Sequence, residues 1–512
     1  MTDLLLLNAV VLTMDENRPR AQEVAIKDGR ILAVGEDDLK SLVHNSTEVI
    51  DLGGKTILPG FIDAHLHLRA LAESLVTLNI GPASGVSSIS HIQERIHHQA
   101  LTLPPGTWIR AGGYNEIYLS EKRDPNRWDL DAAAPHHPVK LTHRSGHAHV
   151  LNSLGLTNIG ISKETPDSET GIIDRDLETG EPTGLLYGMG DFLSQVIPPL
   201  DESQLDRGVK LANQELLSSG ITTFQDASSR NDIERWRSFE NWKREGTLQC
   251  RVLMMLGFKG FEEYQAGRLT SQMDKSHLRL GGVKIVLDET TGRLNPRQED
   301  LNEIVLSVHQ AGRQVAIHAI EETAIEAACS ALEHAIRASP RPDHRHRIEH
   351  CSVCPEDLAA RIASLGIAVV TNPAFLYVSG ERYLKTVPPR QLKHLYPLAT
   401  LIQNGVQVAA GSDAPVAPVN PLAGIYAAVS RKAESGEVVL ANEKITSYEA
   451  LRMYTMLAAR SSFDENLKGI IAPGKLADLT ILSADPTSVP IEAIKEIRVE
   501  MTIVGGDVVY RH

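Results

Sequence analysis

The chain has 512 residues and a formal charge of −14, with 65 acidic against 51 basic side chains, which excludes a nucleic-acid-coating surface because phosphate binding needs clustered Lys and Arg. Hydrophobic residues at 42% and charged residues at 23% are ordinary for a globular protein. The length suits one large α/β barrel with an accessory domain, or two to four smaller domains.

The amino-terminal residues 1–56 read as short strands at 4–7, 9–13, 23–27 and 31–34, with Asp28-Gly29 as a hairpin signal. This segment lacks a basic start and turns polar too early for a signal peptide. No run along the chain reaches the roughly 18 apolar residues of a membrane span. The expectation is a cytoplasmic protein that neither crosses a membrane nor binds nucleic acid.

The middle alternates apolar, β-rich runs with helical stretches. The runs lie at 57–63, 221–224, 251–256, 283–287, 314–317, 347–349, 367–370 and 406–410. Helical patterns follow several of them, such as 321–338 and 355–365. Eight strands with intervening helices predict a (β/α)₈ barrel. About 150 residues separate the first two runs, far more than joins a strand to its helix. Residues 69–205 are therefore expected to form an insertion that covers the substrate. The carboxyl end returns to short strands at 478–482, 500–504 and 508–510. Neither end can bury a core alone, so 1–57 and 468–512 are expected to pair as one small discontinuous β-sandwich domain. The barrel would then occupy 58–467.

Barrel enzymes carry their chemistry where strands end and loops begin. Read at those places, the chain gives His65 and His67 after the first strand, Lys284 in the fourth, His318 and His350 at the fifth and sixth, and Asp413 after the eighth. Each has a plainer explanation. His-x-His puts both imidazoles on one side of a strand, as hydrogen-bonded core pairs also do. An isolated Asp413 could cap the next helix. Convergence of all six on strand ends favours a metal site. Lys284 fits either a paired structural ammonium or a carbamylated side chain whose new carboxylate ligates metal. The four cysteines make no disulfide framework, and Cys351-Ser-Val-Cys354 has no second CxxC to complete a zinc ribbon.

On these residues the chain resembles the amidohydrolase superfamily over nearly its whole length. Leu58-Pro59-Gly60-Phe61-Ile62-Asp63-Ala64-His65-Leu66-His67 is close to that family's opening signature, and Ala472-Pro473-Gly474-Lys475-Leu476-Ala477-Asp478-Leu479 looks like its closing one. The YtcJ-type branch, which includes N-substituted formamide deformylases, is the most similar. Its pattern is matched by Gly146-His147-Ala148, Leu151-Asn152-Ser153, Pro182-Thr183-Gly184, His318-Ala319-Ile320, Arg347-Ile348-Glu349-His350 and Gly411-Ser412-Asp413-Ala414-Pro415-Val416. The resemblance implies a binuclear centre. His65 and His67 would hold one metal, His318 and His350 the other, with carbamylated Lys284 bridging and Asp413 as ligand and general base. Two Zn²⁺ are implied, with Mn²⁺, Fe²⁺ or Co²⁺ as alternatives. Glu321-Glu322, Asp288-Glu289 and Asn372-Pro373 depart from the branch's usual residues near strand ends.

The expected chemistry is hydrolysis of a C–N bond in an amide, N-substituted formamide, carbamate or cyclic amide, with water activated by the metal. Asp413 would move the proton and His147 would bind the carbonyl or oxyanion. Tyr114, Asn372 and His147 are the candidate substrate contacts, and Asp288 a candidate support for a ligand. Trp108, Tyr118, Trp128 and Tyr187 either line a pocket or simply pack. A deaminase, a lactone, ester or phosphotriester hydrolase, and a non-catalytic binding protein on the same scaffold are the alternatives. The partner is a small molecule, and a homodimer is the default assembly.

Overall fold

Gly60 marks the place where the chain changes sheets. In the computed structural model, which describes residues 2–36, 38–168, 171–269, 274, 277–289 and 292–512, Thr56–Pro59 runs antiparallel to Leu479–Leu482 and parallel to Val10–Leu12. One residue later, Phe61–Leu66 begins a different sheet beside Ile221–Asp226. The run expected as one strand is therefore two, because a continuous apolar stretch does not reveal where pairing switches. A Cβ at Gly60 would lie 2.2 Å from Thr222 Oγ1, so only glycine fits this crossing.

The second sheet is the barrel. Its eight strands are β1 (Phe61–Leu66), β2 (Ile221–Asp226), β3 (Arg251–Leu256), β4 (Leu278–Val286), β5 (Val315–Ala319), β6 (Arg347–His350), β7 (Ala368–Thr371) and β8 (Val408–Ala410). They neighbour one another in that order and every pairing is parallel. The first three are buried at every residue, as a parallel sheet covered on both faces requires. Helices return the chain between strands, among them Ile233–Arg244, Gln298–Gln310, Glu322–Ala338 and Glu356–Ser364. Asp232 caps the first of these by accepting from the Glu234 and Arg235 amides. The (β/α)₈ architecture is thus the one that the strand count predicts.

Closure between β8 and β1 uses residues past the end of β8. The Asp413 amide donates to the His65 carbonyl at 2.7 Å, and the His67 amide to the Ala414 carbonyl at 3.0 Å. A Cβ on Gly411 would stand 2.5 Å from the His65 nitrogen. Glycine is what lets the two chain segments that carry His65 and Asp413 touch.

Strands from both chain ends join in a six-stranded sheet ordered Asp507–Arg511, Val499–Val504, Leu479–Leu482, Thr56–Pro59, Val10–Leu12, Arg20–Ala21. A four-stranded sheet, Arg30–Gly35, Glu23–Lys27, Leu4–Leu7, Glu48–Asp51, shares its core through Leu4, Leu6, Val24, Ile57, Leu479 and Ile503. Arg251 at the start of β3 holds Asp478 bidentately, with Nε–Oδ2 at 2.7 Å and Nη2–Oδ1 at 3.0 Å. Both side chains are buried, so removing either leaves a stranded charge and costs about 3–5 kcal/mol.

The chain divides into two compact units. The first comprises Met1–His67, Asn213–Leu287 and Pro296–His512, and the second Leu68–Ala212 with Asp288–Asn295. The second has its own six-stranded sheet, ordered Ile172–Arg175, Pro182–Tyr187, Ala148–Leu151, Val139–His143, Ile109–Tyr114, Leu78–Asn79. Ile92, Ile96, Ile109, Leu130, Leu141 and Val150 fill one of its cores. No described helix is long and apolar enough to cross a membrane.

Candidate metal centre

His65 is the penultimate residue of β1 and faces the barrel interior, with its side chain 1% exposed. Its backbone N–H donates to Asp63 Oδ1 at 3.1 Å, and the same oxygen accepts the Ser412 amide at 3.0 Å. Asp63 thereby pins the β1 end to the loop after β8. Burial pushes its carboxyl up to about 6, against the hydrogen bonds from Ser412 and His65 that favour the charge.

The loop after β8 carries Asp413 in the left-handed region, at φ 57°. Asp413 Oδ1 lies 3.0 Å from His67 Nε2 and 3.5 Å from His65 Nε2. Ligand atoms of His65, His67 and Asp413 all fall within 4.8 Å of one another, the spacing of groups that share an ion. Burial opposes ionisation of Asp413, but the His67 hydrogen bond and the nearby His350 and His65 rings hold its carboxyl well below the usual range. Burial, with the Lys284 ammonium as the second cause, pushes the His65 imidazolium down to about 3. At neutral pH the cluster is a carboxylate beside a neutral imidazole, the protonation that metal binding requires.

His350 ends β6 and His318 lies in β5, their ring centroids 4.4 Å apart, while His350 and His65 are 4.8 Å apart. Lys284 of β4 is buried, and its Nζ has no hydrogen-bond partner among the described residues. Burial pushes its ammonium down to about 8, although Glu349 and Asp413 attract the charge. His65 Nε2 is likewise buried and unpartnered. A buried polar atom left bare is costly. The bare atoms here point to a group that completes the site. Two imidazoles and a carboxylate are a donor set that suits Zn²⁺ and its neighbours.

Other side chains hold these rings in place. His67 Nδ1 is 3.1 Å from Ser228 Oγ, and His350 Nδ1 is 2.7 Å from Asn372 Oδ1. His65 Nδ1 pairs with Glu349 Oε2. Glu349 and its partner Arg347 have no role in the sequence reading beyond their place in the Arg347-Ile348-Glu349-His350 motif. Their signal was present: opposite charges two residues apart on one face of a buried strand must pair with each other or not be there.

Two of the expected substrate contacts, Asn372 and Tyr114, are buried with their polar groups hydrogen-bonded within the protein. Asn372 is fully buried and commits both ends of its amide, Oδ1 to His350 and Nδ2 to the Gly411 carbonyl at 3.0 Å. It orients an imidazole and closes the β7–β8 end. Tyr114 is fully buried in the core of the second unit, and its hydroxyl donates to Asp124 Oδ1 at 3.0 Å. Tyr114 ends a strand that pairs on both sides, with Val139–His143 and with Leu78–Asn79. Of the other insertion aromatics, Trp108 and Tyr187 pack against cores, whereas Tyr118 and Trp128 are exposed. His147 is exposed in the turn between Val139–His143 and Ala148–Leu151, and its N–H donates to Ser145 Oγ at 3.3 Å. Asp288 also belongs to the second unit, where its backbone bridges to Asn295. The four cysteines are buried free thiols.

Comparison with known proteins agrees with this geometry. Residues 48–510 match the amidohydrolase family. The N-substituted formamide deformylase of Arthrobacter pascens is 30% identical, over 99% of this chain and 98% of that protein. YtcJ of Bacillus subtilis, which bears an amidohydrolase name, is 28% identical over 98% of each. An uncharacterised metal-dependent hydrolase of Pyrococcus horikoshii OT3 has the same fold, with a TM-score of 0.77 at 24% identity, covering 96% of this chain and 99% of that one.

Proposed function

This chain belongs to the amidohydrolase family and is a hydrolase by that membership, and we propose that it cleaves the C–N bond of an amide, N-substituted formamide, carbamate or cyclic amide with the help of divalent metal. The observation that carries the reading is the meeting of His65, His67 and Asp413 within 4.8 Å at the carboxyl ends of barrel strands. The bare Nε2 of His65 and Nζ of Lys284 support it.

His65, His67 and Asp413 would hold one cation. His318 and His350 would hold a second, with Lys284 as a carbamate between them, formed when the amine adds to CO₂ and loses a proton. A bound divalent cation polarises a carbonyl and lowers the pKa of water toward about 7. Asp413 accepts the proton of the attacking water and returns it to the departing nitrogen, since amines leave poorly unprotonated. Its depressed pKa keeps it ionised at neutral pH. Asn372 and Ser228 keep His350 and His67 aimed. A carbonyl-binding role for His147 rests on the Gly146-His147-Ala148 resemblance alone.

The N-substituted formamide deformylase relative makes formyl amines the first substrates to try. A hydrolysis screen of the metal-loaded protein across N-formyl, N-acyl, carbamate, urea and lactam compounds tests the reading. Turnover of at least one class is expected. Turnover confined to lactones, phosphotriesters or aminopurines would replace it with one of the alternatives on the same site.

A further inference from the structure

Arg347 and Glu349 are both fully buried inside the barrel. They stand two residues apart on β6, so both project to the same face. The Arg347 fork grips Glu349 through Nε to Oε1 and through Nη2 to Oε2 at 3.0 Å. Its remaining donors reach the Ala64 carbonyl of β1 at 2.8 Å and Gln225 Oε1 of β2. One guanidinium thus fastens three strands and orients one carboxylate. The Oε2 of that carboxylate also takes His65 Nδ1.

An ionised carboxylate only accepts hydrogen bonds. The Arg347 fork donates to both oxygens of Glu349, the bidentate arrangement of a guanidinium with an ionised carboxylate. His65 must therefore carry its proton on Nδ1 and offer the lone pair of Nε2. That nitrogen is the one left buried without a partner, 3.5 Å from Asp413 Oδ1. The other two supported rings are treated differently. His350 Nδ1 meets an amide oxygen of Asn372, and His67 Nδ1 meets the Ser228 hydroxyl. Only His65 among these three is backed by an anion, and that anion is itself locked by a cation.

We propose that the Arg347–Glu349 pair is a positioning device that fixes His65 as an Nε2 ligand and makes it the most strongly donating imidazole of the centre. The proposal rests on His65 being a metal ligand. A carboxylate behind a ligating imidazole raises its basicity, and such partners change metal affinity about 10–100-fold when replaced. Arg347 supplies what a lone buried carboxylate lacks: a reason to remain charged and a single orientation.

The test is the Zn²⁺ dissociation constant, measured by competition with a chromogenic chelator, together with the visible spectrum of the Co²⁺-loaded protein. Glu349→Gln is expected to weaken Zn²⁺ binding 10–100-fold and to shift the Co²⁺ bands. Because that variant strands the Arg347 cation, Arg347→Gln/Glu349→Gln, which removes both charges, is measured beside it with the same expectation. A third reading needs no change at this pair. In metal-free wild type labelled with ¹⁵N-histidine, the signal lost in His65→Asn should show its proton on Nδ1. Dissociation constants within twofold of wild type in either folded variant, or a proton on Nε2, would overturn the proposal. A wild-type chain that takes up no divalent cation would overturn the metal reading beneath it, a failure visible before any variant is made.

Discussion

At the carboxyl ends of β5 and β6 stand His318 and His350. Beside the amino ends of the same two strands, His309, His344 and His346 pack together, with the His344 and His346 rings stacked at 4.6 Å. The two groups look alike in composition and differ in bookkeeping. At the amino end every ring nitrogen is used. His346 Nδ1 accepts the Val315 amide at 2.9 Å, so its Nε2 donates to His309 Nδ1 at 2.7 Å. His309 Nε2 then donates to the Ser339 carbonyl at 2.6 Å. His344 accepts the His346 amide at 3.0 Å and donates to the Leu365 carbonyl at 3.1 Å. At the carboxyl end, His65 Nε2 is buried and bare beside a carboxylate. A histidine cluster that satisfies itself is scaffold; one that leaves lone pairs converging is a site.

That contrast can be broken by substitution. Asp413→Asn removes the group that both completes the ligand set and carries the proton. Its kcat/KM is expected to fall about 10²–10⁴-fold with little change in the denaturation midpoint. Lys284→Ala should lose activity on the order of 100-fold, the upper range for groups that support a metal. If a carbamate stands there, added acetate or propionate should recover part of it. Full activity of Lys284→Ala without rescue would reject the carbamate as essential.

At the other end the effect should move from rate to stability. His346→Leu strands the Val315 N–H and the His309 ring, at a cost of about 1–3 kcal/mol. Urea denaturation would read this, and the folded variant should keep wild-type kcat. Burial holds His344 below, and His346 well below, the ordinary imidazole range. The unfolded chain, whose histidines titrate near about 6.5, then binds more protons than the folded one. Stability is present above that pH and is lost as pH falls below it. Denaturation midpoints at pH 8, 7, 6 and 5 should decline in that order, and the decline should be shallower in His346→Leu.

The sequence made much of this legible, for definite reasons. Burial on both faces leaves parallel strands as plain apolar runs, so the 251–256 run coincides with the strand Arg251–Leu256. Elsewhere, as at 347–349 against Arg347–His350, a boundary moved by a residue. Reading strand ends brought out His65, His67 and Asp413, which the fold does draw together. Contacts made across the barrel were not legible. Glu349 reaches His65 from 284 positions away, and Gly411 matters only because His65 lies against it. Side chains with two hydrogen-bonding ends were not legible either, since the partners of Asn372, His350 and Gly411, lie 22 and 39 positions away.

The central claim is that His65, His67 and Asp413 hold a divalent cation. Zn²⁺ uptake by the chelator-stripped chain, measured by elemental analysis for wild type and His65→Ala/His67→Ala, tests it directly. The account predicts at least one tightly held Zn²⁺ per wild-type chain and one fewer in the double variant. Equal uptake by the two proteins, or none by either, would contradict it.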